Sequence, residues 1–238
     1  MRGFNQSELP LLILKGISNA SRDYLMSNDG WLWRAPEYWV TVSIAKELIR
    51  GIGKNKRVIS LESSVSQTLT NAGAKQRGPK KRAIRANGRF DIVIGQGNER
   101  PRSVVEVKSP LFHSRPNKGV LDDFSRLASV LKHAGSKSNI SSAIFAFYSD
   151  QSEPTRKDAS AKVKILRKFG KGREFEKHVS ESEKHLSDFE KHVKVWSEKN
   201  GVHYEYYVSS AQYEVNSGAR IWGCVVFTRL KKLVAKPL

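Results

Sequence analysis

One cysteine, Cys224, stands among 238 residues, so no intramolecular disulfide can form and a cysteine-ligated zinc site is excluded. A reducing compartment, the cytoplasm, is the expected location. Long apolar runs are missing as well. Nothing approaches the roughly 20 residues that span a bilayer, so no membrane partner is expected. Leu11 to Leu14 is too short for the core of a signal peptide and lacks a small-residue cleavage pattern after it. Acid is the third scarcity: 23 Asp and Glu against 42 Lys and Arg leave a net charge of +19. A chain that carries such self-repulsion is expected to meet a polyanion. Nucleic acid fits that description ahead of a membrane surface or an acidic protein.

The hydrophobic fraction of 39% is that of a soluble globular chain, and its length suits one large domain or one domain with an appendage. Residues 7–26 predict a helix with Pro10 in its first turn. Pro36 opens a second helix running to about Arg50, stopped by Gly51-Ile-Gly53. Val58 to Leu61 predicts a short strand, and residues 73–88 a Gly-rich basic loop. Strands follow near 89–95 and 103–108, joined by a Gly-Gln-Gly-Asn turn. Val120, Phe124, Leu127 and Leu131 mark the buried face of a helix. Ile140 to Tyr148 reads as a buried strand, and residues near 202–209 and 219–229 as two more. The pattern is α/β, with a central mixed sheet flanked by helices. Residues 1–150 hold the N-terminal helices and core. Residues 151–238 add a basic segment, a long helix and strands that complete the same domain.

That long helix, about 174–199, repeats Glu-Lys-His at 176–178, 183–185 and 190–192. Phe175, Val179, Ser182, Leu186, Phe189, Val193 and Trp196 alternate spacings of four and three, a three-heptad seam broken at Ser182. The seam packs the helix on its own domain or joins a homodimer or partner protein through 175–196. His178, His185 and His192 lie about 10 Å apart along the axis, too far to share one ion, and are expected at solvated positions. Seven acidic and five basic residues give this helix −2, which leaves +21 for the rest of the chain.

The chemistry-bearing residues gather in one hairpin. Glu106-Val-Lys108 is the only Glu-x-Lys triplet, and it ends an apolar run fifteen residues after Asp91. A turn centred between Asn98 and Glu99 sets 91 opposite 106, about 5 Å apart. Alternation then puts Asp91, Glu106 and Lys108 on one face. Phe90, Ile92, Ile94, Val105 and Val107 take the other. Asp91 and Glu106 are hard oxygen donors suited to Mg²⁺, which neutralises a phosphodiester and acidifies a bound water. Lys108 beside the ion can steady that water and the charge growing on phosphorus, or act as a base. The alternative is a solvated strand face with a cross-strand ion pair.

A helix acid would add to the donor set. At 100° per residue, Tyr38, Val42, Ile44, Ala45, Leu48 and Ile49 gather inward and Glu37 borders them, while Glu47 turns to solvent with Ser43, Lys46 and Arg50. Glu37 is therefore preferred, although an acid in a first turn also complements the helix dipole. Glu62 is a more distant candidate.

These residues resemble the PD-(D/E)xK nuclease superfamily, the restriction-endonuclease-like fold, over roughly residues 33–150. The family pattern of a helix acid, an Asp opening the second core strand and a Glu-x-Lys on the third falls on Glu37, Asp91, Glu106 and Lys108. Phe90 stands where the name-giving proline would be. Asp123-x-x-Arg126 follows on the next helix, with no role assigned. The resemblance implies a Mg²⁺-dependent endonuclease, with Mn²⁺ able to substitute, hydrolysing DNA or, alternatively, RNA. The company of such folds adds restriction and antiviral defence in bacteria or phage. A non-catalytic nucleic-acid-binding module of the same fold, or a subunit active only within a partner complex, are the rivals.

Lys75, Arg77, Lys80, Lys81, Arg82, Arg85 and Arg89 fall just before the hairpin and could clamp phosphates beside the scissile bond. A second basic block runs from Arg156 to Arg173. Neither carries a readable base code.

Overall fold

The computed structural model describes residues 8–28, 32, 35–52, 57–74, 84–96, 100–109, 111, 115–134, 138–150, 173–209, 212–214 and 218–230. Lys75, Arg77, Lys80, Lys81 and Arg82, the block from Arg156 to Lys171 and the turn 97–99 lie outside the described residues.

Two helices, α1 (Glu8–Asn28) and α2 (Glu37–Ile52), precede strand β1 (Arg57–Ser64), the short helix α3 (Val65–Asn71) and the hairpin β2 (Arg89–Gln96) and β3 (Arg100–Lys108). Helix α4 (Lys118–Ala134) leads to β4 (Ser142–Asp150). The long helix α5 (Arg173–Asn200) is followed by β5 (Val202–Val208), β6 (Gln212–Glu214) and β7 (Gly218–Arg229). The sheet runs β1-β2-β3-β4-β7-β5, with β6 on β7. Among the described residues only β3 and β4 pair in parallel, because α4 carries the chain back between them; the other pairs are antiparallel. The sheet is mixed and flanked by helices, as the α/β pattern predicts. Among the described residues no helix is long and apolar enough to cross a membrane.

Each face of the sheet has its own core. One is aromatic: Phe124 of α4 meets Phe145, Phe227 and Trp196 with ring centroids at 4.9, 5.3 and 5.3 Å, and Phe189 of α5 joins the same cluster. The other is aliphatic, with Ile92, Ile94, Val105 and Val107 packed under α1 and α2. The expected face of α4 is borne out, with Val120, Phe124, Leu127 and Leu131 buried. Leu186, Phe189 and Val193 of the heptad seam are buried in the aromatic core, and Trp196 packs against it. This half of the seam is spent on the domain itself. The side chains of Phe175, Val179 and Ser182 lie outside the described residues.

Four local expectations are corrected. Helix α3 was not foreseen; Ser64 caps it by accepting from the Gln67 N–H at 3.4 Å. His185 is buried rather than solvated, because it lies beside Leu186 on the packed side of α5. Helix α2 buries Val40, Thr41, Ile44, Ala45, Glu47 and Leu48, while Tyr38 and Ile49 are exposed. It is covered on two sides, by the sheet and by α1. A Cβ on Gly16 of α1 would meet the Ile44 Cα at 2.5 Å, so only glycine permits that crossing. Glu47, expected in solvent, therefore lies under α1, where Lys15 reaches it at 3.0 Å and Arg50 at 2.7 Å.

The fourth correction concerns the hairpin face. Phe90 belongs to the aromatic core and Ile92, two residues on, to the aliphatic one. Regular alternation cannot do that. Strand β1 shows the cause: Leu61 pairs Ile92 and Ser63 pairs Phe90, but Glu62 between them takes a left-handed φ of 49°. The pleat breaks beside Asp91.

Candidate active site

The hairpin pairs Ile92 with Val105, Val93 with Val104 and Ile94 with Ser103. Continued one step, this register sets Asp91 opposite Glu106, as expected. The route differs. Gly95 pairs Pro101 and Gln96 pairs Arg100, and an irregularity between Ile94 and Gly95 shifts the register of these outer pairs by one.

Asp91 Oδ2 accepts a hydrogen bond from the Val107 N–H at 2.6 Å. Glu37, in the first turn of α2, accepts from the Ser109 N–H through Oε2 at 2.9 Å. Lys108 holds its ammonium 3.7 Å from that Glu37 oxygen and 3.9 Å from Asp123 Oδ2. Thus the four residues expected from the sequence come together, and of the two acids of α2 it is Glu37 that lies beside Lys108. Glu47 is committed elsewhere.

Helix α4 supplies two more charges. Arg126 is buried and sets Nη1 3.1 Å from Glu106 Oε1. Its Nη2 donates to the Arg89 carbonyl, and the guanidinium lies over the Phe90 ring at 4.8 Å. Asp123 faces Lys108 and also Arg85 Nη1 at 3.8 Å. Arg85 has a left-handed φ of 48° and reaches Asp122 Oδ2 at 3.4 Å. That expected phosphate-binding arginine is paired with the acids of α4 here. Arg89 is exposed at the start of β2. Asp123 and Arg126 were legible only as an unexplained Asp-x-x-Arg on the next helix.

The charges do not balance. Glu37, Asp91, Glu106 and Asp123 count formally as four negatives against Lys108, Arg126 and Arg85, an excess of one, and Arg85 is itself shared with Asp122. Burial of that excess has a visible cost. Desolvation pushes the Asp91 carboxyl up to about 6, with the Val107 N–H pulling it down and Glu37 and Glu62 adding to the rise. Desolvation pushes Glu106 up to about 9, opposed by Arg126 and reinforced by Asp91 and Asp123. Asp123 is raised too, by burial first, with Lys108 and Arg85 opposing. In all three the first cause is the loss of water around the charge.

One divalent cation would supply the missing charge. Among the described residues no three His, Cys, Asp or Glu side chains gather tightly enough to cage an ion. Mg²⁺ asks for less, since one or two carboxylates suffice when water and phosphate oxygens complete its shell. Asp91 and Glu106 on adjacent strands fit that requirement, with Glu37 behind them.

No family profile, curated protein or solved structure matches the chain.

Proposed function

We propose that this chain is a Mg²⁺-dependent endonuclease of the restriction-endonuclease-like kind that hydrolyses phosphodiester bonds in DNA. The observation that carries the reading is that half-buried Asp91 and buried Glu106 stand on adjacent strands in a cluster holding more acids than cations, with Lys108 3.7 Å from Glu37. When bound, the cation supplies Lewis acidity toward the phosphate and a more acidic water. The chain's own residues do the rest. Asp91 and Glu106 present oxygen donors, Asp91 held by the Val107 N–H. Lys108, whose ammonium stands 3.7 Å from Glu37, would offer its positive charge to the attacking water and the developing oxyanion. Exposed Arg89 and the basic segment at 75–82 would hold the flanking phosphates, a salt-sensitive contribution. A role in restriction or antiviral defence accompanies this reading by association with the fold alone.

The test is incubation of the purified protein with plasmid, linear duplex and single-stranded DNA, and with RNA, with and without Mg²⁺ or Mn²⁺. Metal-dependent cleavage that disappears in Asp91→Ala supports the proposal. That no three-carboxylate cage gathers among the described residues favours one other reading, a nucleic-acid-binding module without catalysis. Such a module binds DNA and cleaves no substrate under any metal.

A further inference from the structure

Glu106 and Lys108 are two apart on β3, about 6.7 Å along a strand, with side chains on one face. Asp123 and Arg126 are three apart on α4, where neighbouring side chains stand about 5–6 Å apart. The two spacings match, and the charges are complementary but reversed in order. Glu106 meets Arg126 at 3.1 Å and Lys108 meets Asp123 at 3.9 Å. The reversal follows from topology. Strands β3 and β4 are parallel, so α4 returns antiparallel to β3 and presents its later residue to the earlier strand position.

Both members are themselves anchored. Arg126 is fixed by the Arg89 carbonyl and the Phe90 ring, on the residues that lead into Asp91. Asp123 is held by Arg85, and its side chain is only 13% exposed. An accidental surface pair has no such backing. We propose that Asp123 and Arg126 form a reciprocal clamp on the Glu106–Lys108 pair, with Arg126 positioning the carboxylate for a divalent cation and Asp123 positioning the ammonium for the reacting phosphate. The clamp rests on the nuclease reading for its purpose, but not for its first measurement.

That measurement is Mn²⁺ binding to the full chain by calorimetry, without nucleic acid. Arg126→Gln is expected to weaken Mn²⁺ binding about 10–100-fold, the usual effect of removing a partner of a ligand. Arg126→Lys keeps the charge without the planar fork and recovers part of it. The second measurement is turnover of plasmid DNA at saturating Mg²⁺, with thermal unfolding read in parallel. Asp123→Asn is expected to lower kcat by a similar 10–100-fold factor, with KM, Mn²⁺ affinity and unfolding temperature unchanged. A merely structural role gives the opposite pattern: lower unfolding temperature, with Mn²⁺ affinity and kcat of the folded protein intact. That pattern overturns the clamp, as does a wild-type protein that binds no Mn²⁺. If Arg126→Gln does not fold, a wild-type Mn²⁺ affinity in Arg126→Lys overturns it. Mn²⁺ binding that is lost in Arg126→Gln, together with no cleavage by the wild-type protein, sinks the nuclease reading and keeps the Glu106 half of the clamp. Cleavage at full kcat by Asp123→Asn sinks the clamp and keeps the nuclease.

Discussion

Glu47 under α1 and Glu106 under α4 are buried alike, at 2% and 6% exposure, and each faces an arginine, yet they are held in opposite ways. Glu47 receives two cations, Lys15 and Arg50, whose heads remain in water. Their hydrogen bonds hold its carboxyl below the usual range. Glu106 receives one buried guanidinium and shares its surroundings with Asp91 and Asp123, so burial wins and its carboxyl rises. The fold is thus able to neutralise a buried acid fully where two helices merely need to pack. It leaves that work unfinished at the hairpin. An under-compensated cluster is a standing cost, and such costs are kept where an incoming charge relieves them.

The contrast breaks first on activity. Asp91→Ala or Lys108→Ala is expected to reduce cleavage at least about 10²–10⁴-fold, with DNA affinity measured by polarisation largely unchanged. Full cleavage by either variant removes the assignment. Next comes stability, where the two acids should respond with opposite sign. Glu47→Gln gives up two charge-assisted contacts and is expected to cost about 1–3 kcal/mol in urea unfolding at neutral pH. Glu106→Gln removes the group that burial disfavours and is expected to leave the cation-free protein as stable or more so. Equal losses in both would erase the distinction.

The pH dependence should separate them further. Folding raises the carboxyls of Asp91 to about 6 and Glu106 to about 9, above their unfolded values of about 4. The folded state then binds more protons than the unfolded chain. This contribution is complete below about pH 4 and is lost as the pH climbs through about 6 and 9. Glu47 behaves inversely, since a lowered carboxyl gives stability that is lost only as the pH falls below its ordinary range. Urea midpoints of the cation-free protein should therefore fall from about pH 5 to about pH 9, and Glu106→Gln should flatten the slope. A midpoint that rises over this interval contradicts the picture. The smallest effect is at Glu62, whose left-handed φ of 49° beside Asp91 costs a side-chain residue about 1 kcal/mol. Glu62→Gly should recover about that amount, and a loss of stability would show that the carboxylate earns its strained position.

Much of this was legible because it is periodic. The strands β2, β3, β4, β5 and β7 and the helices α1, α2, α4 and α5 are long enough for their patterns to show; Glu106 stands opposite Asp91 as symmetry predicts, but by way of a one-residue register shift that symmetry does not contain. What escaped was aperiodic. The phase of α2 was misjudged because α1 covers its second side, and the cation for Glu47 comes from Lys15, 32 positions earlier in the chain. The face of Phe90 was misjudged because one residue of the neighbouring strand, Glu62, adopts a left-handed backbone. Arg126 has no readable role in the sequence, since a buried arginine takes its meaning from its carboxylate, here Glu106.

The register shift between Ile94 and Gly95 has a consequence for how the hairpin can vary. It lies between the turn and Asp91, and it already absorbs a mismatch of one residue. A lengthened or shortened turn would meet this slack before reaching Ile92 and Val105, where pairing is regular. The shift therefore decouples the outer pairs of the hairpin from its base, where the two carboxylates keep step.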